Sequence, residues 1–381
     1  MKTRTALLAA AAALFSSCLP VPFDLALSQS AATAQKMTRD NSTLLTISQG
    51  TDPSAHDFVF SPAVGAAGFD YTNGFVVYQR NLEAAVSLVQ YNASSGTYDS
   101  FSQQSQTITN PDPRSPPFLV WPMKSGFSYL LAFIFDAIDP LGGNLYSMVW
   151  GDPATHSITP VGADMHSMLV ALFGLDTVVL GASVSTDPAA TYDMVHWLGT
   201  ESGFPGNYVE FSFQANSTSP GGLAAPATPR GTSWYDLSSF IPNGLTRVTY
   251  FYDENQFGDP ARSPNRSFAS WYDSSSSSWV SYAWWEQPAG TFFNKRLPID
   301  HRLDALLSTG QLLSTEDGTG RLYDRDGNAL ATFPLGNLTY IAEEYVGGVP
   351  RCYFSQCLIY DHTLHFNVYW IRTDQLSTLA N

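Results

Sequence analysis

The residues best suited to chemistry lie in the second half of the chain. Glu286 follows Trp284 and Trp285 in the run YAWWEQPAG. A carboxylate beside two indoles can serve as a general acid or base on a sugar, because apolar surface raises its pKa. The tryptophans themselves suit a stacking platform for a sugar or a peptide aromatic, with the core between packed sheets as the plainer reading. Asp300 with His301 in PIDHRLD, and Glu343 with Glu344 in IAEEY, are further acid–base candidates. In DHTLH, His362 and His365 beside Asp361 would share a face only on a helix; on a strand they point apart. That stretch is expected to start a hairpin, so no metal and no other cofactor is expected. The chain has no G-x-S-x-G elbow, P-loop or H-E-x-x-H motif.

Composition narrows the partners. The net charge of the 381 residues is -15, and no Lys/Arg stripe is present to neutralise phosphates. Nucleic acid is excluded, and so is a polybasic grip on anionic lipid. Charged residues are only 13% of the chain and hydrophobic ones 44%, so the polar surface must come largely from Ser, Thr, Asn and Gln.

The elements that would position these residues are strands. One short pattern recurs: an aromatic or small residue, Asp or Asn, a polar turn, then apolar residues again. It appears at Tyr91, Gly151, Tyr192, Tyr235, Tyr272, Tyr323 and Tyr360, at a mean spacing of about 45 residues. Asp and Asn start turns by bonding their own backbone two residues on. Gly96 and Gly327 supply positive φ in such turns. Flanking runs such as TRVTYFY, ATYDMVHW and FNVYWI are β-branched and aromatic. A period of 40 to 50 residues built from short strands is that of a β-propeller. The expected fold is all-β, a β-propeller of about seven four-stranded blades over residues 41–381, with six or eight blades or a large β-sandwich as alternatives. TLLTIS, Thr43 to Ser48, is placed to close the ring by pairing near HFNVYWIR.

LYDRDGNALATF at 322–333 resembles the NHL repeat, and YNASSGTY at 91–98 resembles the quinoprotein repeat. The double glycines at 142, 221 and 347 are similar to kelch but fall at no regular phase. These resemblances imply propeller architecture and no particular activity. Repeated S-x-D-x-G-x-T-W boxes, which a sialidase-like propeller would carry, are only approached by STEDGTG and YDSSSSSW.

The N-terminus carries Lys2 and Arg4 before an apolar run from Ala6 to Phe15, the pattern of an export signal. Cys18 follows directly, after Ser16 and Ser17, and here the chain resembles bacterial lipoprotein signals, though Phe15 stands where Leu is usual. The resemblance implies a signal peptide over 1–17, lipidation of Cys18 and a flexible tether over 18–40. Export favours oxidation, and the four residues between Cys352 and Cys357 suit a bridge across a tight hairpin; two buried thiols are the other possibility. Five N-x-S/T sequons, at Asn41, Asn92, Asn216, Asn265 and Asn337, would be glycan acceptors in a eukaryotic secreted protein. The expectation is a lipid-anchored binding or scaffold protein of the cell envelope, recognising a protein or envelope glycan through a propeller rim. The alternative is a secreted glycan-active hydrolase using Glu286 and a second carboxylate.

Overall fold

A computed structural model describes residues 31–45, 55–65, 68–80, 83–107, 118–121, 130–135, 146–152, 157–160, 177–186, 193–201, 207–215, 231–243, 245, 248–253, 264–286, 291–360 and 363–380. The fold is all-β, in the arrangement of a propeller. The first strand is β1 (Thr38–Leu45). Blade I is β2 (Ala55–Gly65), β3 (Gly68–Arg80), β4 (Glu83–Asn92) and β5 (Thr97–Thr107); blade II is β6 (Phe118–Trp121), β7 (Leu130–Phe135), β8 (Tyr146–Asp152) and β9 (Ser157–Pro160). Blade III is β10 (Thr177–Thr186), β11 (Asp193–Glu201), β12 (Asn207–Ala215) and β13 (Gly231–Asp236); blade IV is β14 (Thr249–Asp253), β15 (Arg266–Asp273), β16 (Ser278–Glu286) and β17 (Phe292–Leu297). Blade V is β18 (Ala305–Leu306), β19 (Leu312–Ser314), β20 (Thr319–Tyr323) and β21 (Ala329–Pro334). Blade VI is β22 (Leu338–Val346), β23 (Val349–Tyr360) and β24 (Thr363–Arg372), completed by β1.

The closing strand comes from the front of the chain, as ring closure requires. Thr38 pairs with Trp370 and Leu45 with Leu364, antiparallel throughout. A single parallel bridge, Leu45 to Tyr98, links this blade to blade I and makes one eight-stranded sheet of the two. Pairing begins at Thr38, five residues before Thr43. Residues 31–40, expected as tether, are seated on the domain. Met37 is buried in the core between blades V and VI, the Thr33 hydroxyl donates to the Pro334 carbonyl, and Lys36 Nζ donates to the Leu379 carbonyl at 3.2 Å.

The described residues contain six four-stranded units rather than seven. The recurring sequence mark does not count blades, because it falls at different strand ends. Tyr91, Gly151 and Tyr323 precede the turn between third and fourth strands; Tyr272 and Tyr360 precede the turn between second and third. Tyr192 lies just before a second strand, and Tyr235 sits at the end of a fourth. Every turn needs its own starter, so the mark reports turns. As turns they behave as expected. Asn92, Asp273 and Asp324 accept from the backbone N–H two residues on, at 3.0, 2.9 and 2.8 Å.

Blades stack face to face through side chains that alternate along each strand. Leu198, Tyr208, Tyr250, Trp271 and Trp284 fill the space between blades III and IV. Phe268, Ala283, Leu297, Leu312 and Tyr323 fill that between IV and V. Each such large side chain contributes about 1.5–3 kcal/mol by leaving water. The first strands approach closely: Val248 N–H donates to Leu180 O at 2.9 Å, and a Cβ on Gly181 would lie 2.4 Å from Val248 O.

Candidate functional site

Antiparallel meanders put alternate turns at opposite ends, so each blade has two rims. On one rim lie the β15–β16 turn, the β19–β20 turn and the 298–304 connection. There the structure joins Asp300 and His301 to two residues the sequence did not single out together with them. His301 Nε2 is 3.3 Å from Asp300 Oδ1, and its Nδ1 is 3.6 Å from Glu316 Oε2. Glu316 is held by Trp279, whose indole N–H donates at 2.7 Å, and by the Arg302 backbone N–H at 3.2 Å. Next to it, Asp304 accepts from Arg302 Nε at 2.7 Å and from the Thr315 N–H and hydroxyl at 2.6 and 2.8 Å. This set fastens the connection from blade IV onto blade V.

Glu286 belongs to the other rim. It ends β16, about 23 Å from Trp279 near the start of that strand. It therefore does not converge with Asp300 and His301. The two tryptophans point to opposite faces of β16. Trp284 is 1% exposed and packs toward blade III with Tyr250 and Phe240. Trp285 points toward blade V, between Arg266, 4.4 Å from its ring centroid, and Phe293, stacked at 5.9 Å and 12°. The expected open platform is thus corrected: both indoles are packed against blade residues.

A row crosses blade IV at this level: Asp253 on β14 pairs with Arg266, Arg266 lies over the Trp285 ring, and Trp285 pairs with Phe293 on β17. Asp253 is fully buried and Phe293 is 39% exposed, so the row runs from core to surface. The β20–β21 turn of blade V reaches back across it. Arg325 Nε lies 2.9 Å from Asp253 Oδ2, and Arg325 also donates to Pro264 O at 2.9 Å. Asp326 meets Arg266 at 3.1 Å and Lys295 at 3.2 Å, which holds its carboxyl below the usual range despite some desolvation. Gly327, at φ +84°, presses on Leu297 and Pro298, where a Cβ would come within 3.0 Å. The turn DRDG is therefore a staple between blades.

Glu210 was also missed. It lies on β12 facing blade IV, and the Tyr250 hydroxyl donates to its Oε1 at 2.9 Å. Burial pushes its pKa up to about 7, partly offset by Ser267, Tyr250 and Trp284 beside it. Nearby, buried His196 Nδ1 lies 2.7 Å from Ser212 Oγ, and its ring packs on Tyr252. The signal was present in NYVEFSF: a lone charge at one step of an alternating strand, between Tyr208 and Ser212 on the same face.

The other candidates hold structure. Glu343 accepts from the Ser308 N–H and hydroxyl at 2.6 and 2.7 Å and from the Thr373 hydroxyl at 2.5 Å, while Glu344 is buried. The bridge between Cys352 and Cys357 is not made. Both lie on β23 with no turn between them, about 17 Å apart along a strand, against the 7 Å or less that a disulfide needs. Cys352 is a free, buried thiol 3.4 Å from Thr373 Oγ1, and desolvation raises its pKa well above the ordinary value. Cys18, the signal region, Asp361 and His362 lie outside the described residues. Among the described residues, no three His, Cys, Asp or Glu are placed to hold a metal, and no helix is long and apolar enough to cross a membrane.

No protein-family model matches the chain, and no curated protein matches it by sequence. Among solved structures it is similar to the α-L-arabinanase of Penicillium chrysogenum complexed with arabinobiose (11% identity, TM-score 0.44, 88% of this chain and 99% of that one). It is similar to an α-L-arabinofuranosidase of Fusarium graminearum (8%, TM-score 0.44, 90% and 99%) and to the Dos1 propeller (9%, TM-score 0.31, 79% and 68%). These similarities are low, and the assignment of the fold rests on the sheet topology above.

Proposed function

We propose that this chain is an exported, lipid-anchored propeller of the cell envelope that binds a protein or an envelope glycan through the rim of blade IV. The observation that carries the reading is the Arg266–Trp285–Phe293 stack, which starts at buried Asp253 and surfaces at Phe293. Arg and aromatic side chains on a rigid support are what binding hot spots are made of. Exposed Arg296 beside Phe293 adds a positive charge to this strand on an acidic protein, suited to an acidic partner, while Lys295 is paired with Asp326. The stack is held from behind by the blade V staple, so the surface is preorganised and loses little entropy on binding. Anchoring would be through acylated Cys18, with the segment before Ala31 as tether.

The test compares wild type with Phe293→Ala for retention of detergent-solubilised envelope proteins and of a panel of envelope polysaccharides. The reading expects a retained species that the variant loses; equal retention by both sinks it. Intact mass of the mature chain, against Cys18→Ala, tests the anchor: acyl mass present in the first and absent in the second is the expected result. Should the wild type instead cleave members of the glycan panel, with activity abolished in Glu286→Gln, the hydrolase reading replaces this one.

A further inference from the structure

We infer that the interface between blades IV and V holds bound water, coordinated by Ser270 and Ser281 of blade IV and Ser314 of blade V. All three side chains are fully buried, and none has a hydrogen-bond partner among the described residues. Ser270 and Ser281 are direct cross-strand neighbours, in a row running from Thr249 to Leu297. They share the face of blade IV that carries Phe268 and Ala283, which pack on blade V. Ser314 shares the opposing face of blade V with Leu312, which packs on the same cluster, and stands opposite Arg321 in register.

The three hydroxyls therefore point into one interface from both sides. Apolar Phe268 and Ala283 lie one step below them. One step above, Tyr272 and Trp279 meet edge to face at 5.7 Å, and the Trp279–Glu316 hydrogen bond closes the rim. Even Thr249, at the head of the row, spends its hydroxyl on Ser270 O at 3.2 Å rather than on a serine hydroxyl. Buried hydroxyls in native interfaces have partners, because an unpaired one forfeits its hydration. The group that both donates and accepts, and fits a tight interface, is water, which typically takes about three partners. A cation is the wrong class, because the carboxylates nearest the serines are already engaged: Glu316 faces Trp279, the Arg302 N–H and His301, and Asp304 accepts from Arg302 and Thr315.

The test is thermal unfolding of Ser281→Ala, Ser314→Ala and their double variant, with a high-resolution crystal structure of the wild type. A bridging water predicts that each single change lowers Tm by about 2 °C. The double variant should fall by no more than the larger single effect, since the second change finds the bridge already broken. Ordered solvent should lie within hydrogen-bond reach of the Ser281 and Ser314 hydroxyls. Single changes that raise Tm, additive effects, or an interface without solvent density would overturn the inference.

Discussion

Glu210 sits between two sheets, sharing its interface with Tyr208, Tyr250, Tyr252 and His196. Its folded pKa of about 7 stands above the ordinary 4.5, because burial penalises the charge. The folded state thus binds this proton more tightly than the unfolded chain does. The associated stability is fully present below about pH 4.5 and is lost as pH rises through 7. The loss is on the order of 3 kcal/mol at about 1.4 kcal/mol per pH unit. Glu210→Gln should flatten stability between pH 4.5 and 7 and be the more stable form at pH 8; urea midpoints across that range check it. An unchanged pH profile would show that Glu210 is solvated. At this scale the sequence was least legible. Asp300 and His301 are adjacent, so their pairing could be read, but Glu316 and Trp279 reach them only through the blade IV–V contact. Trp284 and Trp285 are adjacent too, yet strand alternation sends them into different interfaces.

At the scale of elements, turns and strands were legible because their causes are local. The DRDG turn was recognisable from Asp324 and Gly327 alone. Its role as a staple was not, since Arg325 and Asp326 find Asp253 and Arg266 at 72 and 60 positions away. The two ion pairs differ in worth. Asp253 is fully buried, so Arg325→Ala would remove the guanidinium that faces a buried carboxylate and should cost about 3 kcal/mol. Lys295 and Asp326 are half-exposed, and Lys295→Ala should cost less than about 1 kcal/mol. Denaturant unfolding of the two variants measures the difference; comparable losses would mean that the staple is not anchored at Asp253. The expected disulfide failed at this scale as well. C-x4-C has the spacing of a bridge across a hairpin, but RCYFSQCLIY continues as one strand.

For the whole molecule, propeller architecture was legible from period and patterning, and closure from a strand-like segment near the front. Blade number was not, because a mark that starts turns repeats at any strand end. Closure makes residues 31–45 part of the structural core: Met37 is buried, β1 completes blade VI, and the Tyr71 hydroxyl donates to Asp40. A chain beginning at residue 46 should lose cooperative unfolding and expose Phe366 and Val368, which are now fully buried. Differential scanning calorimetry checks this, and a single sharp transition in the truncated chain would show that the ring closes without β1.

The binding surface is the central claim, and it rests on Phe293 at the outer end of the blade IV row. The most direct measurement is photo-crosslinking in cells that make the protein, with p-benzoylphenylalanine placed at Phe293 and, as a control, at Leu330, an exposed apolar residue on blade V. The account expects a discrete adduct from position 293 that is absent from position 330 and disappears when Trp285→Ala removes the support beneath it. No adduct at 293, or the same adducts at both positions, would contradict it.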